Sequence, residues 1–179
     1  ILIRMKIPGF EIVNSDKDST TIEIGGGEDW DSIVQRSTNL NLSGIEAMAG
    51  IPGTAGAAPV QNVGAYGQEI SNTLVSVTAY DIKNNEFVTL TNTDCKFSYR
   101  DSIFRSSMNG RYVITSILIK LSKNKIQPPF YESLQKYLDE NNITDYSPTN
   151  IRNAVLKIRG DKLPDPKFLA SAGSFFKNA

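Results

Sequence analysis

The chain has 179 residues, 40% of them hydrophobic, and its nineteen basic side chains balance nineteen acidic ones. That length supports one sizeable core and argues against disorder, while zero net charge leaves no global field to draw nucleic acid or an anionic membrane. The sequence contains no histidine, which removes the commonest general base and metal ligand and sets aside metal sites and histidine-dependent triads.

From the N-terminus, Ile1 to Lys6, Phe10 to Asn14 and Thr20 to Ile24 alternate or run apolar with β-branched residues, which predicts strands. Ser15-Asp16-Lys17-Asp18 supplies turn chemistry for a hairpin between the last two. Gly25-Gly26-Gly27 then leads into Glu28 to Gln35, where Trp30, Ile33 and Val34 fall at helical spacing behind an acidic first turn. The order strand, glycine turn, helix is similar to a dinucleotide-binding entry. However, G-x-G-x-x-G fails at its last position, Trp30, and no G-K-[ST] is present, so the glycines read as a tight structural turn.

The stretch from Gly44 to Gly67 concentrates glycine, alanine and proline where a core would place bulky side chains. Something must approach this backbone closely. Small residues opening a short helix would leave N–H groups free for an anion, so a large phosphate-bearing ligand is expected here. A solvated linker would not need the Ile51, Val60 and Val63 that the stretch contains.

Thr73 to Lys83 and Glu86 to Thr91 alternate around Asn84-Asn85, a two-residue loop that suits a primed hairpin turn. A long strand is expected from Arg111 to Leu121. Tyr131 to Glu140 and Ser147 to Arg159 read as helices, the second with Ser147 as cap, Pro148 in the first turn and Ile151, Ala154, Val155 and Ile158 facing inward. Lys123 to Pro129 and Gly160 to Ser171 are the expected connectors. The whole is an α+β chain without internal repeats. The single cysteine, Cys95, excludes an internal disulfide, fits a reducing compartment, and reads as a small part-buried hydrophobe.

Phe97-Ser98-Tyr99-Arg100-Asp101-Ser102-Ile103-Phe104 packs aromatics around charged groups. Arg100 therefore has a specific partner: either an aspartate in an ion pair that pins a loop, or a ligand oxyanion suited to its planar fork. Lys162-Leu163-Pro164-Asp165-Pro166 forms a rigid, extended approach to the Ala-Gly-Ser-Phe-Phe-Lys-Asn run ending at Asn178. Ser174 in that run, without a histidine to activate it, is a turn or cap residue unless it faces a strongly basic acceptor.

Four blocks taken together resemble the UDP-N-acetylenolpyruvoylglucosamine reductase family: Gly44-Ile45-Glu46 with the run from Ile51 to Gly67, Tyr99 to Phe104, Lys162 to Pro166, and Ala172 to Asn178. The resemblance covers essentially the whole chain and points to the branch with an inserted tyrosine loop. It implies the second subdomain of a two-subdomain FAD-binding fold, a mixed or antiparallel sheet with flanking helices. Residues 1–162 would form that subdomain, including an insertion at about 124–160, and 163–179 a linker and the start of a substrate-binding domain.

The implied chemistry is hydride transfer from NADPH through FAD to the enolpyruvyl group of UDP-N-acetylglucosamine enolpyruvate, giving UDP-N-acetylmuramate in the cytoplasm for peptidoglycan synthesis. Arg100 would clamp the carboxylate on which charge develops, and Ser174 would protonate the resulting enolate. Pro52, Gly53, Thr54, Gly56, Ala57, Val60, Gly64 and Ile114 would contact FAD; Tyr66, Tyr131, Lys162 and Asn178 would bind substrate. No metal, nucleic-acid or membrane partner is implied. The family's N-terminal Gly-Ser-Asn phosphate loop, its catalytic glutamate and most of its substrate domain have no match in this sequence. This polypeptide alone is therefore expected to bind FAD weakly or not at all and to turn over nothing. The alternatives are a flavin-binding or structural module without catalysis, and another flavoprotein of the same fold.

Overall fold

The computed structural model describes residues 4–162. Strands β1 (Phe10–Ser15) and β2 (Ser19–Gly25) form the expected hairpin. Asp16 closes its turn, the carboxylate accepting the N–H of Asp18 and Ser19 at 2.8 and 2.7 Å. Helix α1 (Trp30–Asn39) follows the glycine turn and is capped by Asp29, which accepts the Ser32 N–H at 2.9 Å. A 3₁₀ turn (Glu46–Met48) and two short paired strands, β3 (Gly64–Ala65) and β4 (Gln68–Glu69), bracket the small-residue loop. Then come β5 (Leu74–Asp81), β6 (Glu86–Thr91), β7 (Tyr112–Ser122), α2 (Glu132–Glu140) and α3 (Pro148–Lys162).

The main sheet runs β1-β2-β7-β5-β6 with every neighbouring pair antiparallel, so the expected mixed or antiparallel sheet is antiparallel. Its register sets Ile22 opposite Ile119, and Ile24 and Val77 both opposite Ile117. All five are completely buried, forming one apolar stripe across three strands. Trp30, Ile33 and Val34 of α1 join the same core, as do Ile151, Ala154, Val155 and Ile158 of α3.

Three expectations are corrected. Residues 4–6 of the predicted first strand are not in a strand. The β5–β6 connection has four residues, not two: Asp81 accepts the N–H of Lys83 and Asn84 with its carboxylate and that of Asn85 with its carbonyl, and only Asn85 has positive φ, at 59°. Helix α3 runs through Gly160 to Lys162 where a connector was expected. A mid-helix glycine costs about 1 kcal/mol relative to alanine. Here burial of Ile158 and a 3.0 Å bond from Arg159 Nη2 to the Gly50 carbonyl hold the last turn in place.

A register shift between Thr78 and Ala79 leaves Thr115 unpaired on β7, since Thr78 faces Ser116 and Ala79 faces Ile114. This bulge redirects the local backbone. On the β2 side of β7, the Thr115 carbonyl accepts the Gly26 N–H at 2.7 Å as the next rung of the β2–β7 ladder, and the Gly26 carbonyl in turn accepts the Gly56 N–H at 3.0 Å. The sheet thus passes its hydrogen bonding through the glycine turn into the small-residue loop.

The segment carrying α2 and α3 is bolted to the rest by polar contacts. Arg152 donates to Asp31 at 2.9 Å, and the other Asp31 oxygen accepts the Gly50 N–H at 2.8 Å. Thr149 reaches the Thr38 carbonyl at 3.3 Å. At the opposite end, Arg111 grips Asp81 through Nε at 3.1 Å and Nη2 at 2.6 Å. That grip holds the Asp81 carboxyl below the usual carboxylate range. A depressed folded-state pKa gives stability that is present above the unfolded value and lost as pH falls through the folded one. Urea unfolding midpoints are expected to drop as pH is lowered below about 4, and Asp81→Asn should lower the midpoint at pH 7 and flatten that acid limb.

Candidate functional site

The expected close approach to the small-residue backbone comes in part from the protein itself. A Cβ on Gly56 would sit 3.0 Å from the Gly26 carbonyl oxygen and 3.1 Å from that of Ile114, so β7, the glycine turn and the loop stack backbone against backbone. Ile114 is buried, with its carbonyl facing this stack. Gly64 is crowded too, a Cβ there lying 2.8 Å from the Arg100 guanidinium. Gly53 differs: its φ is +130° and nothing lies within 4 Å of a Cβ. Its freedom from bulk serves the outer surface.

The idea of free N–H groups opening a short helix also needs correction. Residues 55–62 are successive turns, and the N–H groups of Ala55, Gly56, Ala57 and Ala58 are taken by the carbonyls of Glu28, Gly26 and Thr54. Among the described residues, the N–H groups of Gly53 and Thr54 donate to no protein acceptor. They border a cleft of about 50 Å³ lined by Pro52, Gly53, Thr54, Ala57 and Gln61 with Trp30 at its base. Small-molecule pockets run to roughly 300–1,000 Å³. The described residues thus form one wall for a ligand, with two adjacent amides and a small-residue surface suited to a phosphate and a flat ring. These features fit FAD. Val60 lies on the inner side, its carbonyl accepting the hydroxyl of buried Ser102 at 2.7 Å.

Arg100 sits at the tip of a tight turn in which Ser98 and Asp101 exchange backbone hydrogen bonds at 3.1 Å. Its φ of +52° is a strained conformation for a residue with a side chain. Its ion-pair partner is Glu69 at 3.4 Å. Asp101, the aspartate expected from local sequence, instead accepts the Ser102 N–H. Nη2 also donates to the Gly64 carbonyl at 2.6 Å, and Nη1 to that of Asn62 at 3.4 Å. The guanidinium is thereby fastened to the far end of the small-residue loop.

Asn62 organises this corner. It is 1% exposed, and its amide donates to Glu69 Oε2 at 2.8 Å and to the Ser98 carbonyl at 3.0 Å while accepting the Ser71 N–H at 3.1 Å. Each amide end meets only complementary partners, which fixes its orientation. Sequence reasoning missed Asn62, Glu69 and Ser102 as site residues. The available signal was polar residues interleaved with the stripped loop.

Tyr66, at φ +49°, stacks edge-on to Tyr131 with ring centroids 5.9 Å apart. Burial raises the Tyr66 phenol pKa, nearby Arg159 opposes the rise and Tyr131 adds to it. Tyr131 is the exposed N-cap residue of α2, so the structure brings these two predicted residues together. Lys162, exposed, ends α3 one turn beyond Arg159. Ser174 and Asn178 lie outside the described residues. Cys95 is buried, which pushes its thiol up to about 12 and leaves it inert at neutral pH.

Glu46, of the Gly-Ile-Glu block, is completely buried; Oε2 accepts the Gly44 N–H at 2.5 Å, and Oε1 has no partner among the described residues. Burial raises its carboxyl pKa. The Gln68 side chain accepts the Ala47 N–H at 2.8 Å, which ties the β3–β4 hairpin to the 3₁₀ turn that carries Glu46.

The sequence profile described as FAD binding domain matches residues 1–91, just over half of the chain. The chain belongs to the FAD binding domain family. Curated relatives extend the likeness over nearly all of this FAD binding domain chain. It is 42% identical to the UDP-N-acetylenolpyruvoylglucosamine reductase of Flavobacterium johnsoniae over 180 residues, covering 99% of this chain and 53% of the relative. Against the Dechloromonas aromatica enzyme of the same name it is 40% identical over 181 residues, covering 99% and 54%. The chain thus spans about half the length of these relatives. Among solved structures, the crystal structure of UDP-N-acetylenolpyruvylglucosamine reductase from Thermus caldophilus superposes with a TM-score of 0.63 at 24% identity. It covers 88% of this chain and 48% of that one, and shows a shared fold.

Two outcomes test this geometry. Gly56→Ala drives a methyl against two backbone carbonyls and is expected to cost about 1–3 kcal/mol in chemical denaturation. Glu46→Gln tests the buried carboxyl: a folded pKa raised above the unfolded one gives stability that is full at low pH and lost as pH rises. The variant should melt about 2–4 °C above the parent at pH 8, with the difference vanishing near pH 4.

Proposed function

We propose that this chain forms the second FAD-binding subdomain and active-site floor of a cytoplasmic UDP-N-acetylenolpyruvoylglucosamine reductase, with UDP-N-acetylglucosamine enolpyruvate and NADPH as substrates. The observation that carries this reading is Arg100 anchored, in a strained turn, to the same loop whose other end offers the Gly53 and Thr54 amides. A cation and a flavin-sized surface on one rigid loop suit a reaction that adds hydride to a carbon conjugated with a carboxylate.

Pro52, Gly53, Thr54 and Ala57 would hold FAD along the cleft, with Gly56 and Gly64 letting the loop fold tightly beneath it. Bound FAD supplies the hydride chemistry. Arg100 would neutralise the charge that gathers on the substrate carboxylate, an interaction stronger in the transition state than in the ground state. Ser174 would donate a proton to the enolate from its hydroxyl, which needs no histidine because the acceptor is strongly basic. Tyr66 and Tyr131 would cover the nucleotide, with Lys162 and Asn178 meeting its phosphate and polar groups.

The test uses the complete translation product of the gene, purified with FAD. Steady-state NADPH oxidation should require the enolpyruvyl nucleotide. Arg100→Lys keeps the charge but loses the fork. It is expected to retain FAD while kcat falls by about 100- to 1,000-fold, the range for losing one preorganised donor. Substrate-independent NADPH oxidation, or kcat within a factor of about three of the parent in the variant, would sink the reading.

A further inference from the structure

We infer that Glu69, held by Asn62, is the positioning residue for Arg100, and that its carboxylate cannot be replaced by an amide. This rests on the reductase reading above and adds a residue to it. Three features of the corner support it. First, the guanidinium reaches the site from a turn in a strained backbone conformation, so its direction depends on what grips its end. Second, that grip consists of the Gly64 carbonyl at 2.6 Å, the Asn62 carbonyl at 3.4 Å and Glu69 Oε1 at 3.4 Å. Both Nη atoms are engaged, and Nε makes no hydrogen bond among the described residues, leaving donor capacity in the fork for an incoming carboxylate.

Third, Glu69 is itself immobilised. Its Oε2 accepts from Asn62 at 2.8 Å, its side chain accepts the Asn72 N–H, and its own N–H donates to Asn72 Oδ1 at 2.9 Å. The two carboxylate oxygens therefore face donors on opposite sides, Asn62 on one and Arg100 on the other. An amide offers one acceptor end only. Glutamine here must turn its NH₂ toward either the Asn62 amide or the guanidinium, and each encounter is donor against donor. Asn62 is buried and fully used, so it cannot reorient to accommodate the change. The guanidinium would swing, and small misplacements of a catalytic group cost large factors in rate.

The experiment separates the two half-reactions of the complete, FAD-loaded protein by stopped flow. In Glu69→Gln, FAD content and the rate of flavin bleaching by NADPH are expected to stay within about twofold of the parent, while the melting temperature falls by about 2–4 °C. The rate at which the enolpyruvyl nucleotide restores flavin colour should fall on the order of 10-fold. In an Arg100→Lys background the same substitution should bring no further loss, because the two residues act as one unit. Unchanged reoxidation in Glu69→Gln overturns the inference. So does a parallel fall in FAD content and both half-reactions, or a full additional loss in the double variant. Failure of the parent protein itself to be reoxidised by the nucleotide would instead overturn the reductase reading.

Discussion

Three stretches of backbone meet without side chains between them, and the site depends on that meeting. The Thr115 carbonyl adds one more rung to the β2–β7 ladder by accepting the Gly26 N–H, and the Gly26 carbonyl accepts the Gly56 N–H. Each step needs an N–H and a carbonyl within 3 Å, which a Cβ at Gly56 would crowd. The result is a loop fixed to the sheet by main-chain hydrogen bonds, whose positions do not vary with rotamers. Everything placed on the loop inherits that rigidity, from the Gly53 and Thr54 amides at one end to the Gly64 carbonyl at the other.

Polar burial completes what the backbone begins. Asn62 and Ser102 are both 1% exposed and both bond across from the loop to the turn that carries Arg100 or its neighbours. Buried polar groups with every partner present hold a single arrangement, because any alternative leaves a desolvated donor or acceptor unpaired. Glu46 shows the opposite case, with one oxygen unpartnered among the described residues and the carboxyl pushed toward its neutral form by burial.

The parts of this structure legible in the sequence were those set by local rules. The 10–24 hairpin, α1 behind Asp29 and the inward stripe of α3 follow from periodicity and capping, and they appear where expected. The antiparallel order β2-β7-β5 joins strands distant in sequence, and no local pattern announces that pairing or the bulge within it. Within the site, the stripped loop and Arg100 stood out by composition. The partner of Arg100 did not, because Asp101 is adjacent in sequence while Glu69 becomes adjacent only after the loop folds back through β3 and β4. The free amides were expected at the start of a short helix but lie at Gly53 and Thr54, ahead of a run of turns, since Glu28, Gly26 and Thr54 claim those of Ala55 to Ala58.

The segment carrying α2 and α3 is tied into the small-residue loop rather than laid over it. Asp31 divides its carboxylate between Arg152 of α3 and the amide of Gly50, and Arg159 returns to the Gly50 carbonyl. Both backbone polar groups of Gly50, within the small-residue stretch, are thus satisfied by α3 or by the Asp31 that α3 grips. Loosening α3 would therefore loosen the loop as well, because the Gly50 carbonyl would lose Arg159 and Asp31 would lose Arg152.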